Sequence, residues 1–317
     1  MPRLTIGIEE EFQIRDGDGQ LKSHIDALLR PAGLRLASAG THPFSRRQER
    51  EITERERCKL LEELQDVIRE LLIFCLHVHA GIPDREKRIE VMNEARHFLP
   101  HLLAISTSSP FWLARDTGLK SYRHVIWSRF PRTGIPPDHT SWDEFENYVE
   151  LLVRTGSIDD GRKIWRDLRP HAFYPTLEFR ICDAATTIDE ALCIAALAQA
   201  ICAKLLVLRE RNLGFRKYVP SLIQESKWRA IRGGMGAKLV DFGKQAEAPM
   251  KGLAVEPCEF VDDVVDALGS RRECEHVFTT RGRARARTGG CASGRGPAAS
   301  TRWSTRCARR RCAASPG

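Results

Sequence analysis

Three segments of the chain alternate apolar and polar side chains with the period of two that is typical of β-strands. They are residues 4–14, which include TIGIEEEFQI (Thr5–Ile14), and the segments Ile73–Gly81 and Thr176–Asp183. One face of each segment suits a core, and the other carries a pair of polar side chains. These pairs are Glu9 with Glu11, His77 with His79, and Glu178 with Arg180. The pattern predicts three strands, each with one charged or coordinating face.

If the three strands are neighbours in one sheet, their polar faces form a single concave site. Three carboxylates that converge without compensation would repel one another and would be costly to desolvate. A shared cation would remove this repulsion. Carboxylate oxygens with an imidazole suit Mg²⁺ or Mn²⁺ better than Zn²⁺, which prefers thiolates or several histidines. The residues therefore predict a site for a hard divalent cation.

Each polar pair also has an ordinary structural interpretation. Consecutive glutamates are common on a solvated edge strand, and two alternate histidines are often satisfied side chains of a sheet. The glutamate and arginine of the third segment could form a simple cross-strand ion pair. The recurrence of the pattern on three strands favours the site over these alternatives.

Elsewhere, apolar residues recur mostly at helical spacing. The expected helices are Arg57–Leu72, Asp84–Ser106, Ser141–Val153, Ile188–Arg211, Ser221–Arg232 and Glu259–Leu268. Ser141 and Glu144 fit a capping box at the start of the third helix. Further strands are expected at Leu34–Ala39 and Lys163–His171, a turn at Asp16–Gly19, and a long functional loop at Gly118–Pro137. Because the strands and helices lack regular βαβ spacing, we expect an α+β fold with an antiparallel sheet.

Composition is that of a globular protein, with 42% hydrophobic residues. Nothing near the start resembles a secretion signal, and no run of about 18 apolar residues indicates a membrane span. We therefore expect a cytoplasmic protein that does not enter a membrane. The ten cysteines form no CxxC pair, so we expect reduced, unpaired thiols.

The formal net charge of +8 belongs to the end of the chain. Residues 279–317 contain ten arginines and no lysine or acid, so residues 1–278 carry a net charge of −2. This segment has few large aliphatic residues, and we expect a disordered Arg-rich tail. One interpretation is an arm for nucleic acid or acidic partners. The interpretation that we favour is a sequence without function, of the kind that GC-rich DNA encodes when it is read out of frame, and we expect no nucleic-acid partner.

Several motifs, in order along the chain, give the sequence a family resemblance. They are TIGIEEEFQI, GTHPF (Gly40–Phe44), LIFCLHVHAG (Leu72–Gly81), FLPHLLAISTSSPFW (Phe98–Trp112), SYR (Ser121–Arg123), RFPRTGIP (Arg129–Pro136), RPH (Arg169–His171) and TLEFRICD (Thr176–Asp183). As a set they resemble the carboxylate–amine ligases of the glutamate–cysteine ligase type 2 family. The resemblance runs from Leu4 to about His276.

This resemblance implies an antiparallel sheet like that of glutamine synthetase and the guanido kinases, with a concave active-site face and helices on the other side. It also implies ATP and Mg²⁺ (or Mn²⁺) as cofactors and amino acids as substrates. In the implied reaction, ATP phosphorylates a carboxylate, typically the γ-carboxylate of glutamate. An amine such as that of cysteine then attacks the acyl phosphate to form an amide.

The resemblance also assigns roles to individual residues. Glu9, Glu11, His77 and Glu178 match metal ligands of the family, with Glu10 pointing away and His79 as a neighbour of the ligands. Arg180 matches an arginine that binds phosphate or a substrate carboxylate, for which a planar guanidinium is suited. We expect Glu178 and Arg180 to take part in catalysis, and Arg123 and Arg169 are further candidates for binding the anionic nucleotide.

Two departures from the family pattern affect this expectation. Between about residues 29 and 33, relatives have an additional segment that carries another metal-binding glutamate, a strand and part of a helix. The tail also replaces a helical ending after about Val277. We therefore expect a shortened ligase domain over residues 1–278 with weak glutamate–cysteine ligase activity. The alternative is a catalytically impaired relative that retains only the fold or nucleotide binding. A homodimer is expected from the general frequency of oligomers.

Overall fold

A computed structural model describes residues 4–11, 13–15, 21–22, 35–44, 62–69 and 71–279 of the chain. The expected turn at Asp16–Gly19, the shortened segment near residues 29–33 and the Arg-rich tail from residue 280 lie outside the described residues. Among the described residues, helices and antiparallel strands are mixed. The expected α+β class is confirmed.

The largest sheet of the described residues has four antiparallel strands in the spatial order β1-β5-β9-β8. These strands are β1 (Ile6–Glu10), β5 (Cys75–Gly81), β9 (Thr176–Asp183) and β8 (Leu168–Pro170). The three segments with polar faces therefore lie side by side, although they are far apart in the chain. The condition for one shared site is met.

The register of this sheet sets the polar side chains opposite one another. Glu9 pairs with His77 across β1 and β5, and His79 pairs with Glu178 across β5 and β9. Arg169 of β8 lies opposite Glu178 on its other side. Because directly opposed residues project to the same face, these side chains form one row. Within the β5–β9 pairing, the register shifts between Leu76, which lies opposite Cys182, and Val78, which lies opposite Phe179.

The described residues also form three smaller sheets. Their strands are β2 (Gln13–Arg15), β3 (Leu21–Lys22) and β4 (Arg35–Ala37), then β6 (Phe111–Trp112) with β7 (Arg115–Asp116), and β10 (Lys238–Asp241) with β11 (Ala246–Pro249). The helices are α1 (Asp66–Arg69), α2 (Arg85–Ala95), α3 (Leu99–Ser106), α4 (Tyr122–Trp127), α5 (Trp142–Arg154), α6 (Ile188–Glu210), α7 (Pro220–Gly233), α8 (Met250–Leu253), α9 (Glu256–Val261), α10 (Val265–Leu268) and α11 (271–279). Short 3₁₀ turns lie at Arg96–Phe98, Gly161–Lys163 and Gly234–Gly236.

The core lies between the apolar face of the large sheet and the helices. Leu76 and Val78 of β5 and Phe179 of β9 are fully buried and belong to the same apolar cluster as α6. Helix α6 is long and apolar enough by composition to cross a membrane, but most of it is buried inside the protein. The apolar side chains of α6 are therefore part of the core.

The start of α5 has the expected serine cap. The Oγ of Ser141 accepts a hydrogen bond from the Glu144 amide at 3.1 Å. The Glu144 carboxylate accepts from the amide and hydroxyl of Thr140, one residue before the expected partner. Asp84 caps α2 in the same way, through the Lys87 amide. Pro100 has no amide hydrogen, and the chain forms a 3₁₀ turn just before it. The helix expected over Asp84–Ser106 is thus present, in two parts.

Five expected elements differ in the structure. The strand expected at Lys163–His171 is limited to β8, and Lys163 itself lies in a 3₁₀ turn. The strand over residues 4–14 is divided into β1 and β2, which pair in different sheets. The helix expected over Arg57–Leu72 is limited, within the described residues, to 62–64 and α1, with a positive φ at Gln65 between them. The loop over Gly118–Pro137 contains α4, and the helix expected at Glu259–Leu268 is divided into α9 and α10.

Residues 38–44 form a buried strap that joins the N-terminal segments to the core. The hydroxyl of Ser38 donates to the Ala185 carbonyl at 2.6 Å, and the Gly40 amide donates to Ser108 Oγ at 2.9 Å. Thr41 Oγ1 donates to the Phe111 carbonyl at 2.8 Å. A Cβ at Gly40 would lie 2.8 Å from the Asp183 carboxyl carbon, so this close approach requires glycine.

Strand β1 is an edge of the four-stranded sheet. Ile6 and Ile8, which project to its apolar face, are 41% and 42% exposed. The described residues therefore cover this face of β1 less completely than the fully buried apolar face of β5.

Candidate active site

Glu178 lies at the centre of the polar row and is 1% exposed. Its Oε2 accepts a hydrogen bond from Arg169 Nε at 2.8 Å, and its Oε1 accepts one from Arg180 NH1. Burial alone would raise the pKa of Glu178, but the two guanidinium groups outweigh it and hold the pKa well below its usual range. Glu178 is therefore a fixed, ionised carboxylate.

Both histidines of β5 face the glutamates on either side. His77 Nδ1 lies 3.3 Å from Glu9 Oε2 and 3.7 Å from Glu178 Oε1. His79 Nε2 lies 3.4 Å from Glu9 Oε1 and 4.0 Å from Glu178 Oε1. The sequence ranked His79 below His77, whereas the geometry brings both imidazoles to the same pair of carboxylates.

The protonation states of this row suit cation binding. Burial, followed by the Arg180 charge, lowers the pKa of His77, so its imidazole is neutral near pH 7. The hydrogen bond from His77 lowers the pKa of Glu9 against the opposing effect of partial burial. Metal ligands must be neutral imidazoles and ionised carboxylates. His77, Glu9 and Glu178 therefore have the forms that a metal ion requires.

Glu11 belongs to the same face but has different contacts. Its Oε2 accepts from the Cys75 amide at 3.0 Å and lies 3.1 Å from Cys75 Sγ. The same sulfur lies 2.8 Å from His77 Nε2. Cys75 therefore links Glu11 to His77 and fixes the orientation of that imidazole. Nothing in the sequence pattern indicated this role, since Cys75 is one of ten scattered cysteines.

Of the expected anion-binding arginines, Arg169 and Arg123 have other contacts. Besides Glu178, Arg169 donates through NH1 to the carbonyls of Arg162 and Ile164. Arg123 is 1% exposed, and its NH2 donates to the Arg180 carbonyl at 3.1 Å. Arg169 thus links Glu178 to the segment before β8, and Arg123 supports the backbone of β9. Arg180 donates to the other oxygen of the Glu178 carboxylate, and its Nε, like that of Arg123, is buried without a hydrogen-bond partner among the described residues.

Asp183, at the end of β9, connects this strand to two loop segments, near Ser108 and near Ser121. Its carboxylate accepts hydrogen bonds from the Ser108 amide, the Ser109 hydroxyl and the Ser121 hydroxyl, at 2.7–3.0 Å. The TLEFRICD and SYR motifs are thereby tied together. Trp127 of α4 adds a second support, with its ring 5.7 Å from the Arg180 guanidinium carbon. Trp127 was not among the candidate residues, because the sequence predicts a loop over Gly118–Pro137.

The observed contacts of Glu178 weaken the argument that repulsion among carboxylates requires a bound cation. Arg169 and Arg180 already neutralise Glu178, so repulsion among carboxylates does not by itself require a metal. The surroundings of His79, in contrast, favour a metal ion at this site. His79 Nε2 is buried without a hydrogen-bond partner among the described residues and faces Glu9 and Glu178. Two ionised carboxylates and two imidazoles form a donor set for Mn²⁺ or Mg²⁺, and the imidazoles suit Mn²⁺ better.

Comparison with protein families gives one match over most of the chain. The model of glutamate–cysteine ligase family 2 matches residues 13–292. This range contains β5, β8 and β9, and it extends beyond the described residues into the Arg-rich segment.

Relatives from bacteria match at high identity. A protein of Roseiflexus castenholzii named as a glutamate–cysteine ligase 2 is 54% identical over 260 residues, which are 82% of this chain and 69% of that protein. A relative of the same name from Chloroflexus aurantiacus is 55% identical over 260 residues and 67% of its own length. For a third, from Chloroflexus aggregans, identity is 47% over 326 aligned positions that include 87% of this chain and 84% of the relative.

Two solved structures have similar folds. A glutamate–cysteine ligase from Francisella tularensis, solved in complex with AMP, gives a TM-score of 0.61 at 12% identity and covers 97% of this chain and 88% of that one. A bifunctional glutathione synthetase from Pasteurella multocida gives 0.58 at 13% identity, and this chain spans about half of its length. At these identities the likeness concerns the fold alone. The family match and the bacterial relatives establish that this chain belongs to glutamate–cysteine ligase family 2.

Proposed function

We propose that this protein is an ATP-dependent carboxylate–amine ligase that joins the γ-carboxylate of glutamate to the amine of cysteine. The observation that carries the proposal is the convergence of Glu9, His77, His79 and Glu178 beside Arg180 on one face of the sheet. Membership of the ligase family and the AMP-bound structural neighbour support nucleotide use.

The proposed reaction has two steps. A glutamate carboxylate oxygen attacks the γ-phosphorus of ATP, and ADP leaves with the electrons of the broken P–O bond. The amine nitrogen of cysteine then attacks the acyl carbon, inorganic phosphate leaves, and the nitrogen loses a proton to give the amide. Both steps require close positioning of anionic groups, which is where most of the rate enhancement of phosphoryl transfer arises.

In this proposal each side chain has a defined task. Arg180 binds a phosphate oxygen or the substrate carboxylate through the part of its guanidinium that Glu178 does not occupy. Arg169 holds Glu178 in place. Glu9, His77, His79 and Glu178 would hold Mg²⁺ or Mn²⁺, with Glu11 next to them through Cys75. When bound, the cation supplies charge neutralisation for the triphosphate.

The test is ADP release in the presence of ATP, Mg²⁺, glutamate and cysteine. We expect release to require both amino acids and to fall at least 100-fold in Glu178→Gln, because that variant loses the central charge. Glu150→Gln, on the exposed side of α5, makes the same chemical change away from the site and should keep full activity. Absence of ADP release with every amino-acid pair, under saturating Mg²⁺ or Mn²⁺, would contradict the ligase proposal.

A second candidate function is an impaired relative that binds nucleotide without turnover. It is favoured by the exposed apolar face of edge strand β1. The Chloroflexus aggregans alignment has 326 positions but contains 87% of 317 residues, so about 50 positions have no counterpart here. That number supports the proposal that an internal segment is shorter in this chain. ATP binding measured by calorimetry, without ADP release, would favour this function over the first.

We further propose a cytoplasmic location and small-molecule partners, namely ATP and amino acids, without a membrane or nucleic-acid partner. A homodimer is proposed on general frequency alone. Sedimentation of the purified chain measures it directly, and a monomer at micromolar concentration would rule it out.

A further inference from the structure

A second cluster of potential metal ligands lies among the helices. It consists of His97, His101 and Glu256, whose ligand atoms all lie within 4.8 Å of one another. It shares no residue with the polar row of the sheet. We propose that these three side chains bind a divalent transition metal of the Zn²⁺ class, separately from the cation of the ligase site.

Local structure brings the two histidines together. His97 lies in the 3₁₀ turn Arg96–Phe98 and His101 in α3, within one continuous helical run. Residues four apart in a helix project to the same side, and the two rings lie 5.4 Å apart between centroids. Glu256 comes from a distant part of the chain, in the first turn of α9. The tertiary fold therefore completes a site that the helix begins.

The distances are close to those of a zinc site. His97 Nε2 lies 3.0 Å from Glu256 Oε1, and His101 Nε2 lies 3.6 Å from Glu256 Oε2. Ligands at about 2.1 Å from a tetrahedral Zn²⁺ lie about 3.4 Å from one another. Small side-chain rotations are enough to place an ion between the three atoms. The fourth position would be taken by water, as in three-ligand zinc sites.

One buried atom distinguishes this cluster from an ordinary histidine–carboxylate pair. His97 Nε2 and Glu256 Oε1 share a hydrogen bond. His101 is 5% exposed, and neither of its ring nitrogens has a hydrogen-bond partner among the described residues. Its Nε2 nevertheless faces the carboxylate. A buried polar atom without a partner is costly, and a metal ion would satisfy it.

The surroundings determine which ion and what affinity to expect. Two imidazoles and one carboxylate favour Zn²⁺ over Mg²⁺ or Ca²⁺. Aromatic side chains pack around His97, with Phe98, Phe215 and Tyr218 at 4.9–5.7 Å between ring centroids. Glu256 remains 32% exposed, which gives an ion access. The Nδ1 atoms of both histidines lack hydrogen-bond partners among the described residues, so we expect micromolar affinity, weaker than that of sites with a hydrogen-bonded outer shell.

The experiment is a titration of the full chain with Zn²⁺ by competition with a chromophoric chelator. All proteins in this titration carry His79→Asn, which removes an imidazole from the ligase site, because Zn²⁺ would displace Mg²⁺ from an intact one. We expect one equivalent to bind to this background protein, and affinity to fall at least tenfold when either Glu256→Gln or His101→Asn is added. Glu259→Gln, one turn further along α9, is the matched control and should bind as the background protein does.

Three results would overturn the proposal. They are no binding at micromolar Zn²⁺, binding that persists in Glu256→Gln and His101→Asn, and binding that is lost in Glu9→Gln of the sheet. A Co²⁺ titration gives an independent readout, because tetrahedral Co²⁺ with nitrogen and oxygen ligands absorbs in the visible range without the near-ultraviolet band of thiolate ligands. A thiolate band would assign the ion to the cysteines instead and would also overturn the proposal.

Discussion

The two glutamates that flank β5 have the same chemistry and opposite surroundings. Glu178 of β9 is 1% exposed and held by two arginines, whereas the side chain of Glu9 on edge strand β1 is 62% exposed and pairs with the two histidines of β5. The first carboxylate is fixed by the fold, and the second is free to adjust to a ligand. The site thus has a rigid side, formed by β8 and β9, and an adaptable side, formed by β1.

The sharpest test of this contrast removes a support from the rigid side. In Arg169→Met, the buried Glu178 loses one of its two cationic partners, and we expect the free energy of unfolding to fall by about 3–5 kcal/mol. The corresponding loss in Glu9→Gln should be below about 1 kcal/mol, since exposed ion pairs contribute little. Urea unfolding of both variants measures the difference. A double variant, Arg169→Met with Glu178→Met, should recover part of the loss, because no buried charge is then left with too few partners.

The apolar faces of the same two strands offer a second test. Phe179 of β9 is fully buried, and Phe179→Ala should cost about 3–5 kcal/mol through lost packing and a cavity. Ile8 of β1 is 42% exposed, so Ile8→Ala should cost about 1 kcal/mol or less. Thermal unfolding of the two variants ranks them. Equal losses would mean that β1 is packed as tightly as β9, and would remove the main support for an impaired relative.

A smaller effect should appear in the pH dependence of stability on the rigid side. His124 Nε2 donates to the Ile181 carbonyl of β9 at 2.6 Å, and burial, followed by the charges of Lys227 and Arg123, holds the pKa of His124 well below its usual value. Below pH 6.5 the unfolded chain binds a proton here and the folded chain does not, so stability falls as the pH falls.

We expect the free energy of unfolding to fall between pH 7.5 and pH 5.5, with about 1 kcal/mol of this loss due to His124. His124→Gln keeps a donor near the Ile181 carbonyl but cannot be protonated, so its loss over the same range should be smaller by that amount. Urea unfolding at the two pH values measures both. If the two proteins lost stability equally, the imidazole would not be the titrating group.

Local patterns predicted the elements on the rigid side well. The boundaries of β9 agree with those expected from the sequence, because strict alternation over Thr176–Asp183 follows the turn-forming residues before it. The long helix α6 was also expected, within one residue. These segments carry enough apolar residues for their period to be unambiguous.

Tertiary pairing could not be read from the sequence in the same way. Arg169 was a candidate for binding nucleotide, and its hydrogen bond to Glu178 depends on the register of β8 against β9. His77 and His79 both face Glu9 and Glu178, and this follows from how β1 and β9 pair with β5. Helix α4 was missed because glycines and prolines on both sides of it indicated a loop. The roles of these residues arise from contacts between segments that are far apart in the chain.

The strap of residues 38–44 has a consequence for how this chain tolerates changes in length. Its hydrogen bonds from Ser38, Gly40 and Thr41 all end on the segments near Ser108 and Ala185. The polypeptide is therefore anchored again at Ser38, whatever precedes it. The stretch of chain between β3 and β4 can therefore differ in length between homologues while the strands downstream of Ser38 keep their alignment, which makes residue 38 a natural junction for building chimaeric ligases.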